Sequence, residues 1–236
     1  MAAEIEKLLK YLNEEKASNS IQRKNYTAVK SADDLLKEAE AMGKYKFSRF
    51  VLDKNNVFAY KNLAKWFVGD NTMRCINPET GEECDADLTK GIYLAGPTGT
   101  GKTTAIGIYL ELAKYYRMKY IFKGIEKSMQ FVKYDADSIA EIFTSGGDIS
   151  SIVTADALLI NELGAEPTNS VYMGNRIDPI RRILDRRGDM GGKITFITSN
   201  LPITGDDIQN RYGDRVVSRL YGMCNYLEMK GEDRRR

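Results

Sequence analysis

Gly96-Pro97-Thr98-Gly99-Thr100-Gly101-Lys102-Thr103, GPTGTGKT in one-letter code, fills the pattern G-x-x-x-x-G-K-[ST] with no mismatch. The residues ahead of it, Gly91-Ile92-Tyr93-Leu94-Ala95, form the short apolar run of a buried strand, and Ala105 to Tyr116 carries helical apolar spacing. The loop therefore falls where a strand hands over to a helix, the context this motif requires. Gly96, Gly99 and Gly101 let backbone N–H groups approach phosphate oxygens, and the helix N-terminus adds a favourable partial charge. Lys102 is expected to reach the β- and γ-phosphates and the Thr103 hydroxyl to ligate Mg²⁺. The expected nucleotide-binding residues are Gly96, Pro97, Thr98, Gly99, Thr100, Gly101, Lys102, Thr103 and Thr104, with ATP and Mg²⁺ as cofactors.

The 236 residues suffice for a large α/β domain with a small appendage. Expected boundaries are a helical N-terminal segment over 1–46, a candidate partner-binding arm, and a nucleotide-binding domain over 47–236. With 35 Lys and Arg against 33 Asp and Glu, the net charge is only +2, so any affinity for nucleic acid must come from local clusters. The chain has no histidine, which excludes Ser-His-Asp and Cys-His catalysis and leaves phosphate and metal chemistry. Its three cysteines, Cys75, Cys84 and Cys224, are too few and too scattered for a disulfide framework. The start, MAAEIEKLLKYLNEEK, is amphipathic and acidic rather than basic and then apolar, and no run is long enough to span a bilayer. A cytoplasmic protein with no membrane contact is expected.

Toward the N-terminus, Ile5, Leu8, Leu9 and Leu12 share one helix face, and Ser31 with Asp34 resembles a capping box ahead of a second helix ending near Gly43. The aromatics Phe47, Phe50, Phe58, Tyr60, Trp66 and Phe67 read as core, with a helix over Asn62 to Phe67. Asn77-Pro78-Glu79-Thr80-Gly81 signals a turn between Cys75 and Cys84. Beyond the loop and its helix, Tyr120 to Phe122 and Phe131 to Tyr134 compete as the next strand, and Asp137 to Phe143 reads as a helix.

Ala157 to Ile160 is a buried strand ending in Asn161-Glu162. ATPases that use an activated water place an Asp at such a strand end to hold Mg²⁺ and a Glu beside it to orient the water. Here the Glu is present and the Asp position is Asn161. Arg176 to Gly188 is a helix with Arg181, Arg182, Arg186 and Arg187 as a candidate phosphate-tracking face. Ile194 to Ile197 is a further buried strand tipped by Thr198-Ser199-Asn200. Helices over 206–212 and 215–220 and a strand over 226–229 complete an alternation that implies a parallel sheet wound on both faces.

With GPTGTGKT, NELGAE, ITFITSNLP and YGDRVVSRLYGM followed by GEDRR in that order, the stretch from Phe47 to Arg236 resembles the AAA+ ATPases of the DnaC and DnaI helicase-loader family, kin of the IstB-type ATPases that assist transposases. The resemblance implies a P-loop NTPase fold of the AAA+ type. It makes Lys102 and Thr103 the Walker A pair, Glu162 the Walker B glutamate and Thr198 the sensor I residue, with Asn200 as a nearby alternative. It makes Arg219 an arginine finger acting on a neighbouring subunit, with Arg215 as its rival, and Arg235 the sensor II arginine. A finger acting in trans implies a homo-oligomer. The family's partners are a hexameric replicative helicase and single-stranded DNA, and its process is DNA replication of a bacterial, phage or mobile-element genome. Asn161, paired with Thr103 as a metal-site residue, departs from the family pattern and implies weaker Mg²⁺ binding and slower ATP hydrolysis. The rival readings are an IstB-like transposition ATPase, an ATP sensor with little hydrolysis and a small-molecule kinase.

Overall fold

The computed structural model describes residues 7, 9–14, 21–23, 31–167, 171, 172, 175, 176 and 178–234. Its central sheet is built from β4 (Gly91–Ala95), β7 (Val132–Asp135), β8 (Ala157–Leu163), β11 (Ile194–Ser199) and β12 (Cys224–Glu228). All five run parallel, in the order β12-β4-β11-β8-β7. Helices cover both faces, so inner strands are apolar at nearly every position while successive side chains serve opposite faces. Ile92 and Leu94 join one core with Phe196, and Tyr93 and Ala95 join the other with Ile197. Only β7, at the sheet edge, is mostly exposed.

The first core is roofed by α1 (Ala32–Lys46), α2 (Val57–Val68) and α3 (Lys102–Tyr115). Ser31 caps α1 by accepting the Asp34 N–H at 3.1 Å, and fully buried Leu35 and Ala39 place α1 in the same core as α3. A division of the chain at residue 46 therefore leaves α1 packed on the body that contains the central sheet. Residues 9–14 are helical and exposed, whereas Ile5 and Leu8 lie outside the described residues.

The aromatic run divides. Trp66 and Phe67 meet Phe196 edge-on, and the Trp66 indole donates to the Lys90 carbonyl at 2.7 Å. Phe47 is instead exposed and Phe50 only half-buried. The turn at residues 77–81 closes a hairpin of β2 (Arg74–Ile76) and β3 (Glu83–Asp85), where the Cys75 and Cys84 sulfurs face each other at 3.4 Å as free thiols.

Of the two competing strands, Phe131 to Tyr134 contributes β7. The other is β5 (Lys119–Phe122), which pairs with β6 (Ile125–Ser128) through Lys123 and Gly124, both at positive φ, and with β1 (Gln22–Arg23) in a separate sheet. A short hairpin of β9 (Val171–Tyr172) and β10 (Asn175–Arg176) follows β8.

The second core is covered by α4 (Ala136–Thr144), α5 (Ser150–Thr154), α6 (Pro179–Gly188), α7 (Asp206–Tyr212) and α8 (Asp214–Met223). Asp178 caps α6, which buries Ile180, Ile183 and Leu184. Arg181, Arg182 and Arg186 are exposed, but Arg187 is buried, which removes it from the expected arginine face. Its guanidinium donates to the carbonyls of Val153 at 2.9 Å, Ala155 at 2.7 Å and Ile194 at 2.8 Å and to the Thr195 hydroxyl at 2.9 Å. It thereby ties the end of α5 to the start of β11, and burial pushes its pKa down to about 10. Arg187→Met is expected to cost about 3 kcal/mol, because several buried acceptors lose their donor at once. A denaturant midpoint unchanged from the parent, at equal slope, would refute this role.

Candidate nucleotide site

The chain leaves β4 for the helices on one face and leaves β11, its sheet neighbour, for those on the other. A crevice opens where the two carboxyl ends diverge, the place where open α/β sheets bind ligands. The loop Gly96 to Gly101 fills it. A Cβ on Gly96 would overlap the Met229 carbonyl, and one on Gly99, at φ +80°, would overlap the Asp233 carboxylate, so the tightness of the loop depends on glycine at both positions. The Thr100 hydroxyl donates to the Pro97 carbonyl at 2.9 Å. Lys102, buried at the head of α3, donates to the Gly96 carbonyl at 2.6 Å, the Pro97 carbonyl at 2.9 Å and Asn200 Oδ1 at 2.8 Å. Three oxygens thus hold the ammonium between the tips of β4 and β11.

A cavity of about 670 Å³ adjoins the loop. Residues Thr98 to Thr104 form one wall, with Glu162 and Asn200 at its β8 and β11 side. The segment over 46–51 supplies another part of the lining, where Phe47, Phe50 and Val51 stand among polar Lys46, Ser48 and Arg49, and Asn56 and Tyr60 add to it. An exposed Phe47 is thus accounted for by a cavity wall rather than by core.

Arg234 completes the rim. Its Nη2 grips both Asp53 carboxylate oxygens at 2.9 Å, its Nη1 donates to the Val51 carbonyl at 2.8 Å, and its backbone N–H donates to the Gly99 carbonyl at 3.1 Å. The tail from Met229 to Arg234 is therefore stitched to both the P-loop and the segment over 46–51. Burial pushes the Asp53 carboxyl up, but the Asn55 N–H and the Arg234 guanidinium outweigh it, leaving Asp53 below its ordinary value. Because the folded pKa is depressed, the stabilisation from this clasp is complete above the ordinary carboxylate pKa and fades as pH falls through the lowered value. Arg235, the residue assigned as sensor II by resemblance, lies outside the described residues.

At the tip of β8, Glu162 adopts φ +54°, rare for a non-glycine residue, and its side chain is exposed on the cavity wall. Thr198 is fully buried behind it: its hydroxyl accepts the Glu162 N–H at 2.9 Å and donates to Asn161 Oδ1 at 3.1 Å. Thr198 therefore organises the β8 tip from below, and Asn200 is the strand-tip side chain that reaches the cavity. Thr103 lines the cavity, whereas Asn161, half-buried, stands off its wall.

Arg219 lies across Gly188 at the end of α6 and pairs with Asp189. Arg215 is ion-paired to Asp185 at 3.1 Å, at an angle that makes no hydrogen bond. Neither arginine lines this chain's own cavity.

Glu166, Arg234, Asp53 and the wall over Phe47 to Val51 are not singled out by sequence reading. The available signals were the glutamate four residues beyond Glu162 and the first arginine of GEDRR.

The five-stranded parallel sheet flanked by helices, with the loop Gly96 to Gly101 at its crevice, is an α/β P-loop NTPase fold. Among solved structures, a candidate primosome component from Streptococcus pyogenes serotype M3 superposes with a TM-score of 0.50 at 17% identity, over 78% of this chain and 85% of that one. A DnaC helicase loader gives a TM-score of 0.49 at 20% identity, over 78% of this chain and 95% of that one. No protein-family profile matches the chain, and no curated protein matches its sequence. No helix among the described residues is long and apolar enough to cross a membrane.

Proposed function

We propose that the chain is an ATP-binding AAA+ ATPase acting as a DnaC-like helicase loader in DNA replication, in the cytoplasm. The observation that carries this reading is Lys102, held at the head of α3 by oxygens of the P-loop and of Asn200, on the wall of a cavity that Glu162 also reaches. Thr103 on that wall suits Mg²⁺. Asn161 suits it less, because its Oδ1 already takes the Thr198 hydroxyl. Glu162 orients water, Asn200 reads the phosphate end from β11, and Thr198 sets the β8 tip.

Arg219, with Arg215 beside it, serves a neighbouring subunit in a homo-oligomer. Its absence from this chain's own cavity supports action in trans. Exposed Arg181, Arg182 and Arg186 form the surface for single-stranded DNA, and the segment ahead of α1 is the arm for a hexameric helicase. The Asn161–Thr198 bond favours a second reading, an ATP sensor with little hydrolysis.

Steady-state phosphate release, followed against protein concentration with and without single-stranded DNA, tests both. A specific rate that rises with protein concentration and disappears in Arg219→Ala, with ATP affinity unchanged, is expected. Tight ATP binding with no turnover at any concentration would select the sensor, and a monomeric Arg219→Ala protein with full activity would remove the trans finger.

A further inference from the structure

Glu166 is the one buried carboxylate among the described residues, and it stands off the cavity wall. Its Oε2 accepts the Gly164 N–H at 2.9 Å. Its Oε1 accepts from the Tyr212 hydroxyl and from Arg211 Nε at 3.3 Å, while Arg211 Nη2 also reaches the Glu166 backbone carbonyl. One side chain thereby joins the turn after β8 to the last residues of α7. Tyr212 leads through Gly213 directly into α8, which carries Arg215 and Arg219.

That turn requires external support. Glu162 at φ +54° and Gly164 at φ +99° both lie in the left-handed region, and a Cβ on Gly164 would come within 2.7 Å of Leu201. A glutamate holds such a conformation only where its surroundings over-determine it. The Ala165 N–H closes the turn onto the Glu162 carbonyl at 2.9 Å. Beyond that internal bond, three side chains grip the turn's backbone: Thr198 on the Glu162 N–H, Ser199 on the Leu163 carbonyl at 2.6 Å and Glu166 on the Gly164 N–H. Thr198 and Ser199 belong to the sheet, and Glu166 alone of the three reaches α7.

We infer that Glu166 is a positioning residue that fixes the Glu162 carboxylate at the nucleotide cavity and couples it, through Arg211 and Tyr212, to the helix pair α7 and α8. The inference rests on the ATPase reading. A shift of α8 at a subunit contact then reaches the β8 tip through a chain of hydrogen bonds rather than through solvent.

Glu166→Gln tests this, since it keeps the volume and one acceptor oxygen while removing the charge that draws Arg211 and Tyr212 onto Oε1. In the full-length protein, kcat for ATP is expected to fall about tenfold or more with the Kd for ATP within about twofold of the parent. Amide exchange over residues 162–165 should quicken while the rest of the sheet stays protected. Tyr212→Phe, which keeps the ring and deletes one donor, should lower kcat about threefold in the same pattern and serves as the test should Glu166→Gln fail to fold. A kcat equal to the parent's in either folded variant overturns the inference, as does a fall in kcat matched by an equal loss of ATP affinity and a lower Tm. A parent that binds ATP without turning it over overturns the hydrolytic reading and this inference together. A parent that turns over, matched by its variants, overturns this inference alone.

Discussion

Lys102→Ala is expected to weaken ATP binding by about a hundredfold or more, because it removes the buried ammonium from a cradle whose other contributions are neutral N–H groups. The geometry supports an effect of that size. Lys102 Nζ sits at 2.6 Å from the Gly96 carbonyl, 2.9 Å from that of Pro97 and 2.8 Å from Asn200 Oδ1, so its position is fixed from both strand tips before any phosphate arrives. A charge placed in advance is stronger toward a ligand than one that must be ordered on binding. Asn200 lies on a separate segment, and releasing its bond frees one ammonium proton for a phosphate oxygen without disturbing the loop carbonyls. Some stability accompanies the loss of affinity, since the same ammonium bridges β4 to β11, so melting should be recorded alongside calorimetric titration with ATP. A folded Lys102→Ala protein that binds ATP within threefold of the parent would mean that the cavity beside this loop is not a phosphate site.

Much of this site was legible because its chemistry is local. The residues of GPTGTGKT specify their own backbone, and inner strands such as Gly91 to Ala95 and Ile194 to Ser199 read as continuous apolar runs because helices cover both faces. Arg187 was legible too, in a way that its residue type concealed. Ile180, Ile183, Leu184 and Arg187 stand at i, i+3, i+4 and i+7, so the arginine occupies the buried stripe and has to find its acceptors there.

Phe47 could not be sorted from Trp66 and Phe67 by sequence, since an aromatic ring suits a core and a ligand wall equally well. Only the cavity between the P-loop and the segment that follows α1 separates them. The contacts of Glu166 span 45 and 46 residues to α7 and obey no period. Arg234 lies on an irregular tail that offers no period to read, and its grip on Asp53 spans most of the chain.

The β8 tip sets the second large effect: Glu162→Gln is expected to lower turnover by about a hundredfold or more with ATP affinity retained, and Asn161→Asp to raise it. Glu162 points into the cavity from a backbone conformation that is sustained by its neighbours, and an amide there keeps the shape but cannot take a proton from water. Asn161 poses the opposite problem. With its Oδ1 on the Thr198 hydroxyl at 3.1 Å, the other end of the amide is an NH₂ group, a donor where a metal-bound water requires an acceptor. A carboxylate at that position keeps one oxygen on Thr198, turns the second outward and adds a negative charge, all of which favour Mg²⁺ and its water shell. Asn161→Asp should therefore shift the Mg²⁺ midpoint for ATP binding to lower concentration as well as raise the rate. The binding titration separates this from a purely hydrolytic effect. If neither the midpoint nor the rate moves, Asn161 lies outside the metal's shell, and the β8 tip contributes to the reaction through Glu162 alone.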